Sequence, residues 1–436
     1  MSSLEWMPDL AGALDALVPL DDDSRADWDD VAARVRRRRS LQLGRRRRRW
    51  SLRLAIVVAL LLLLLGCAAT ATYLLLRANG AIAFGGRGYP GKLLIESPNG
   101  QLHAIASCPA WHPGENTDKL SCSVLEPAWS PDGTRVAFIR GRWTDAKDSA
   151  APTLSHFALY VAAADGTRLR RLARCNFYDC GGVVYRSQPA WSPDGKWIAF
   201  TRTSKNGSGS DPSIWVVAAN GSNLHRLSGC GGRCVDFMPA WSPTGHMLAF
   251  ERMFPSSGWR PSLYTIRPDG SHLTRIRSNA TDPAWSPDGR RIAFDELQKG
   301  GYPWDEGIAV VYADGSHPRL LTAGPWKRGK SPKYPAWSPD GRRLLFLKIR
   351  GWTADEPFRA EIWTMNPDGS DRRRLYRSRW AHGVQTKPIW SPDGRKIAFS
   401  VDSYPKGTFV INADGTGLKR IAPTVFPELS WQPVPK

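Results

Sequence analysis

The sequence predicts an all-β fold, a single β-propeller of four-stranded blades preceded by one transmembrane α-helix. Three observations predict it. The heptapeptide PAWSPDG recurs along the chain, each copy is followed by a short apolar strand, and an uncharged apolar stretch of 23 residues precedes every copy. The identical copies stand at 127–133, 189–195, 283–289 and 335–341, with PAWSPTG at 239–245 and PIWSPDG at 388–394.

Each repeat combines turn signals with strand signals. Ser-Pro-Asp-Gly is typical of a type I turn, in which Ser caps, Pro presets φ, and Asp and Gly complete the bend. An apolar strand such as IAF follows, and then a strand such as IWVVAANGS, whose Asn-Gly or Asp-Gly is a hairpin signal. A stretch such as LRRLA closes the unit. Each repeat therefore predicts four short antiparallel strands.

The spacing of one repeated tryptophan predicts the architecture. Successive copies lie 62, 50, 44, 52, 53 and 41 residues apart, and four-stranded units at such a period are typical of propeller blades. We expect these residues to pack between blades: Trp129, Trp191, Trp241, Trp285, Trp337, Trp390 and Trp431.

The ends of the repeat region complement each other. IAF at 82–84 has no tryptophan strand before it, and the strand around Trp431 has nothing after it. Joining them predicts a seventh blade and a ring without an open sheet edge. Six blades is the alternative.

The WSPDG…IAF…DG pattern resembles the WD-like repeat of TolB-type β-propellers over nearly all of residues 82–433. The resemblance implies the propeller fold and a tendency to bind other macromolecules, but it implies no reaction. Proteins of this type are described with six blades and a separate N-terminal α/β domain. Here a membrane anchor is expected in place of that domain, and a role in the Tol–Pal system is not expected.

Residues 54–76 are predicted to cross the membrane, because an uncharged helix of this length spans about 34 Å, more than a hydrocarbon core of about 30 Å. Eleven arginines lie between Arg34 and Arg53. The positive-inside rule therefore places the N-terminus in the cytoplasm and the propeller outside the cell membrane. The alternative is that LLGC at 64–67 is a lipobox with a lipidated Cys67.

The predicted segments follow from these assignments. They are an acidic cytoplasmic segment at 1–33, an Arg-rich juxtamembrane segment at 34–53, the transmembrane helix at 54–76, a linker at 77–81 and the propeller at 82–433. The formal charge is +20, and residues 1–53 hold 12 basic and 9 acidic residues. The remaining 48 basic and 31 acidic residues leave a net of +17 beyond residue 53. The arginine runs border the membrane helix, so anionic headgroups are the expected contact and nucleic acid is not.

The cysteines predict local disulfides and an oxidising compartment. They precede three of the tryptophan motifs as the pairs Cys108/Cys122, Cys175/Cys180 and Cys230/Cys234. Metal sites would need histidine partners or paired CxxC motifs, so neither a metal nor another cofactor is predicted. Buried free thiols are the alternative.

All the length variation falls in the loops between second and third strands and in the links between blades. Propeller geometry places both sets on one face, which is therefore the predicted ligand face. Its tryptophans stand beside charged residues, which suits a glycan, an anionic envelope polymer or a protein hot spot; packing on their own blades is the alternative. The predicted ligand-binding residues are Arg142, Trp143, Trp259, Arg260, Trp304, Trp326, Lys327, Arg350 and Trp352.

The sequence thus favours a binding or scaffold module outside the cell membrane, with a protein or an anionic polymer or glycan as partner. No G-x-S-x-G, HExxH or phosphate-binding glycine loop occurs, so an enzyme is not predicted. Two alternatives are a propeller-type lyase or glycosidase using Asp305 and Glu306 or Asp355 and Glu356, and a signalling receptor acting through residues 1–33. The oligomeric state is not predicted.

Overall fold

The computed structural model describes residues 81–85, 92–96, 102–107, 120–144, 153–174, 188–206, 209–297, 306–322, 332–350, 359–378, 386–402, 406–423 and 428–433. These residues form 28 β-strands in seven four-stranded antiparallel sheets. The fold is a seven-bladed β-propeller, which confirms the predicted all-β class and the count of seven blades.

The seven blades follow one another along the chain. Blade 1 contains β1 (Ile82–Gly85), β2 (Lys92–Glu96) and β3 (Leu102–Ser107). Blade 2 contains β4 (Leu120–Trp129), β5 (Arg135–Thr144), β6 (Thr153–Ala163) and β7 (Arg170–Arg174). Blade 3 contains β8 (Ala190–Trp191), β9 (Trp197–Asn206), β10 (Gly209–Ala218) and β11 (His225–Arg226). Blade 4 contains β12 (Val235–Trp241), β13 (Leu248–Met253), β14 (Pro261–Ile266) and β15 (Thr274–Ser278).

The last three blades repeat this order. Blade 5 contains β16 (Ala280–Trp285), β17 (Arg291–Leu297), β18 (Glu306–Tyr312) and β19 (Arg319–Leu320). Blade 6 contains β20 (Pro332–Trp337), β21 (Leu344–Arg350), β22 (Arg359–Met365) and β23 (Arg373–Arg377). Blade 7 contains β24 (Ile389–Trp390), β25 (Lys396–Val401), β26 (Gly407–Asn412) and β27 (Lys419–Ala422). β28 (Glu428–Trp431) pairs with β1 to complete blade 1 in the order β28-β1-β2-β3.

The repeated turn is held by its own side chains. In the copy at Ser338, the N–H of Gly341 donates to the Ser338 carbonyl at 2.9 Å, and Gly341 has φ +70°, a value that favours glycine. The Ser338 hydroxyl donates to Asp340 at 2.6 Å and accepts the N–H of Arg343 at 2.9 Å. Ser and Asp therefore recur because they close this turn.

The repeated apolar residues form the core. The phenylalanine that ends each VAF-, IAF- or LLF-type segment of the second strand is almost fully buried in blades 2 to 7: Phe138, Phe200, Phe250, Phe294, Phe346 and Phe399. Burying a phenylalanine contributes about 1.5–3 kcal/mol. Each of these six blades thus brings the same apolar contribution to the packing.

The repeated tryptophan links neighbouring blades. In six blades its indole N–H donates to the carbonyl of the residue that precedes the tryptophan of the previous blade. The pairs are Trp129 to Ser430 (3.2 Å), Trp191 to Ala128 (3.0 Å), Trp241 to Ala190 (3.1 Å), Trp285 to Ala240 (3.0 Å), Trp337 to Ala284 (3.1 Å) and Trp390 to Ala336 (3.2 Å). The Trp431 indole N–H finds no acceptor within the described chain, and Ile389 stands where the other blades have Ala or Ser.

Several predictions concern residues outside this description. Among the described residues no helix is long and apolar enough to cross a membrane, and the predicted span at 54–76 lies outside them. The Cys230–Cys234 disulfide is present, with its Cα atoms 5.8 Å apart. Cys108, Cys175 and Cys180 lie outside the described residues, and Cys122 lies in β4 with its side chain undescribed.

Candidate functional site

The first strands of all seven blades surround one cavity on the propeller axis. Its volume is about 210 Å³. Every blade contributes the residue three positions before its repeated tryptophan, and we call these seven residues the axial ring: Glu126, Gln188, Met238, Asp282, Tyr334, Lys387 and Glu428. The first strand is therefore the innermost strand of each blade, and the fourth is the outermost.

A bulge in the inner strand presents the ring residue in four blades. The pairing register of β4, β12, β16 and β20 shifts between the residues that flank it. The bulged residue has a left-handed φ, 57° for Glu126, 56° for Met238, 54° for Asp282 and 59° for Tyr334. Such a φ is uncommon outside glycine and persists only where surrounding contacts hold it.

Buried carboxylates from the preceding blade hold two of these bulges. Glu251 of β13 accepts the backbone N–H of Asp282 at 2.6 Å and the hydroxyl of Thr281 at 2.7 Å. Asp295 of β17 accepts the backbone N–H of Tyr334 at 3.1 Å. In both cases a strand of one blade fixes the ring residue of the next blade.

The ring also closes across the ends of the chain. The carboxylate of Glu428 accepts the backbone N–H of Glu126, which lies 302 residues away in sequence. The side-chain amide of Gln188 in blade 3 donates to the carbonyl of Pro127 in the inner strand of blade 2. The side chains of the ring are thus positioned by contacts between blades.

The charged residues of the ring are mainly acidic. Glu126, Asp282 and Glu428 supply three carboxylates against the one ammonium of Lys387. Glu126 is 3% exposed and Asp282 8% exposed, so both lie largely out of water. Glu251 lies directly behind the ring, where burial and the neighbouring Asp282 raise its pKa to about 8.

The cavity is small and chemically mixed. A volume of about 210 Å³ is below the roughly 300–1,000 Å³ of pockets that enclose a whole small molecule. It suits one side chain or a chain terminus of a larger ligand. Carboxylates, an amide, a phenol and a thioether can together surround a cation and the apolar carbons that carry it.

The structure describes the side chains of two of the nine predicted ligand-face residues. Of the nine, Trp259 and Arg260 are described; Trp259 follows a short 3-10 helix (Pro255–Ser257), is 50% exposed and has φ 60°. Arg142 and Trp143 lie in β5 and Arg350 ends β21, with their side chains undescribed. The residues outside the described chain are Trp304, Trp326, Lys327 and Trp352. Of the carboxylates named for the enzymatic alternative, Glu306 begins β18 with its side chain undescribed, and Asp305, Asp355 and Glu356 lie outside.

The sequence contained two signals for the axial ring that its motifs obscured. The residue before PAW or PIW differs in every copy, while the residues that follow it repeat. Glu251 and Asp295 follow AF in strands where the other blades have Ile139, Thr201, Leu347 or Ser400. A carboxylate at a buried strand position indicates a specific partner. Within the described chain no group of three or more His, Cys, Asp or Glu residues is placed to hold a metal ion.

No protein family model matches this chain. A segment of 109 residues is 34% identical to the uncharacterized peptidase YuxL of Bacillus subtilis, covering 25% of this chain and 15% of that protein. A segment of 100 residues is 33% identical to the Tol-Pal system protein TolB of Anaeromyxobacter dehalogenans, covering 22% of this chain and 21% of TolB. The chain thus spans less than a quarter of the length of either relative.

Solved structures agree on the fold. An oligogalacturonate lyase in complex with manganese superposes with a TM-score of 0.52 at 14% identity, covering 79% of this chain and 86% of the lyase. The periplasmic gluconolactonase PpgL of Pseudomonas aeruginosa superposes with a TM-score of 0.52 at 14% identity, covering 81% of this chain and 99% of the gluconolactonase. At this identity the likeness concerns the fold alone. Together with the sequence similarity to TolB, it supports a TolB-like β-propeller.

Proposed function

We propose that this chain is a binding module, anchored in the cell membrane with its propeller outside, which engages a protein partner at the axial cavity. The proposed activity is binding without catalysis. The flanking loops of the predicted ligand face would widen the contact beyond the cavity itself.

One observation carries the proposal. Ser, Pro, Asp and Gly recur in the repeat because they close a turn, and Trp recurs because it joins blades. The position that lines the axial cavity has six different residue types in seven blades. This position stands directly before the Pro-Ala-Trp that most blades repeat, and such variation at a position that converges on the axis is typical of a site fitted to a ligand rather than of a structural requirement.

The charge of the ring indicates the class of ligand. Three carboxylates and one ammonium favour a cation, and the burial of Glu126 and Asp282 strengthens their interactions relative to water. A lysine or arginine side chain, or an amino terminus, supplies a cation on an apolar stem of suitable size. We therefore propose that the partner presents a basic residue to the axial cavity.

The compartment is supported by two independent features. A disulfide such as Cys230–Cys234 persists in oxidising environments, and the arginines before residue 54 favour a cytoplasmic N-terminus. Protease added to intact cells or spheroplasts should therefore digest the propeller and spare residues 1–53. Loss of the N-terminal tail with an intact propeller would reverse the orientation.

Binding of tetralysine to the full chain in detergent tests the ligand class, with tetraglutamate as the comparison peptide. Asp282→Asn should weaken tetralysine binding about tenfold, the scale of one charge-assisted hydrogen bond. Asparagine tolerates a left-handed φ, so the bulge should persist. Asp402→Asn removes the same charge from an exposed ion pair with Lys406 and serves as the matched control. Equal effects of the two substitutions would contradict the axial site.

A further inference from the structure

The outermost strands of the propeller carry charge of one sign. β7 and β23 hold three basic residues each, β15 and β27 two each, and β11 and β19 one each, while no Asp or Glu occurs in any outer strand, β3 included. We call these twelve residues the basic rim: Arg170, Arg171, Arg174, Arg226, Arg275, Arg277, Arg319, Arg373, Arg374, Arg377, Lys419 and Arg420. With 60 basic and 40 acidic residues in the chain, charged residues placed without bias would be of both signs.

Protection of sheet edges does not account for this bias. The outer strands are edge strands, and charged side chains on an edge prevent pairing with other sheets. Glutamate and aspartate would prevent that pairing as well as arginine does. The uniform sign therefore indicates a surface selected for its positive potential.

Much of this charge forms no direct ion pair with the described residues, although Arg319 has a longer-range electrostatic attraction to Asp368. Arg277 pairs with Glu296 at 2.8 Å, Arg373 pairs with Asp371 at 2.9 Å, and the buried Glu361 lies 3.6 Å from two other rim arginines. Seven exposed members form no ion pair with any described residue: Arg170, Arg171, Arg174, Arg275, Arg319, Lys419 and Arg420.

The rim includes a groove between blades 4 and 5. This groove of about 820 Å³ runs between β15 and the β17–β19 side of the next blade. Arg275, Arg277 and Arg319 line it, and the carboxylate of Glu296 fixes the guanidinium of Arg277. Three guanidinium groups and one carboxylate leave the groove with a net charge of +2.

We propose that the basic rim binds a linear, phosphate-bearing polymer of the cell envelope, and that the groove between blades 4 and 5 is its principal seat. Eleven of the twelve rim residues are arginine, whose planar guanidinium binds phosphate through two parallel hydrogen bonds. An extended chain of phosphates matches an extended belt of arginines better than a single compact anion does. The choice of an envelope polymer rests on the proposed location of the propeller outside the membrane. The binding surface itself does not depend on the axial cavity, because the two surfaces use different strands and opposite charge.

Binding of inorganic polyphosphate to the full chain in detergent, followed by fluorescence anisotropy over a range of salt, tests this proposal. Arg275→Gln combined with Arg319→Gln should weaken binding at least about tenfold. It should also reduce the slope of log affinity against log salt by about 1.4, at about 0.7 per lost phosphate contact. Both side chains are exposed and free of ion pairs with described residues, so the melting temperature should not change. Arg275→Lys combined with Arg319→Lys should bind with an affinity between those of the wild type and the Gln variant, because lysine keeps the charge but lacks the planar guanidinium that donates two parallel hydrogen bonds.

The matched control is Arg290→Gln combined with Arg342→Gln, which removes two exposed arginines from the repeated turns instead of the rim. It should leave polyphosphate affinity within about twofold of the wild type. An equal loss in both double variants would overturn the proposal, as would full affinity in the Lys variant or no binding of polyphosphate. If a single-stranded oligonucleotide binds more tightly than polyphosphate, with the same dependence on Arg275 and Arg319, the ligand of the rim is a nucleic acid and the proposal of an envelope polymer is wrong.

Discussion

Replacing Glu251 by glutamine should remove a dependence of propeller stability on pH. This side chain is 1% exposed, lies behind the axial ring and accepts hydrogen bonds from Thr281 and the backbone of Asp282. Burial and the nearby Asp282 raise its pKa from 4.5 to about 8. Glutamine keeps an oxygen that can accept both hydrogen bonds, but it does not titrate.

The sign follows from proton linkage. Between pH 4.5 and about 8 the folded protein retains the Glu251 proton while the unfolded chain releases it. The folded state then binds more protons, so the free energy of unfolding falls as pH rises, by about 1.4 kcal/mol per pH unit. The stability that the Glu251 proton contributes is fully present below the pKa of this group in the unfolded chain, and it is lost above its pKa in the folded protein. From pH 5 to pH 8 the loss is about 4 kcal/mol.

Urea unfolding of the wild type and of Glu251→Gln at a series of pH values measures this difference. Other titrating groups are common to both proteins, so the gap between the two curves isolates Glu251. The variant should gain about 4 kcal/mol on the wild type between pH 5 and pH 8. Asp402→Asn, which alters an exposed carboxylate, should follow the wild type. Parallel curves for the wild type and Glu251→Gln would refute the assignment of a raised pKa.

Three further predictions concern the joints of the fold. Trp285→Phe should cost about 1–2 kcal/mol more than Trp431→Phe in urea unfolding, because only the first removes an indole hydrogen bond between blades; equal losses would contradict this. Deletion of residues 427–436 removes β28 and exposes the edge of β1, so calorimetry should show loss of the cooperative transition, and an unchanged melting curve would count against closure through blade 1. Replacing Cys230 and Cys234 by serine opens a five-residue loop and should cost about 2 kcal/mol in urea unfolding relative to the oxidised wild type; an unchanged free energy of unfolding would contradict this.

The repeat made most of the fold predictable. A turn such as the one at Ser338 is determined by adjacent residues, so its motif can be recognised wherever it occurs. Seven copies of the tryptophan then set the blade count. The IAF strand at 82–84 has no tryptophan strand before it, so the strand around Trp431 at the other end of the repeat region was needed to complete its blade. These are local rules repeated along the chain, which is why sequence alone sufficed.

The axial ring could not be predicted in the same way. Its members are separated by tens to hundreds of residues, and Glu126 meets Glu428 only because the ring of blades closes. Their residue types share no pattern, so periodicity does not reveal them. Glu251 and Asp295 were the more accessible signal, since carboxylates at buried strand positions require partners. Most of the proposed loop residues, in contrast, have no described side chain, and the ligand face stays a prediction.

The distribution of charge in the propeller is more informative than its total. Acidic side chains gather on the innermost strands and basic side chains on the outermost, three strand spacings away. At about 4.8 Å per spacing, that separation is about 14 Å. Exposed charges are screened within about 8 Å at physiological ionic strength. The exposed rim arginines therefore do not cancel the field of the buried axial carboxylates. An axial site for a cation and a rim site for a polyanion can thus coexist in one small domain, and a net charge of one sign does not exclude a ligand of the same sign.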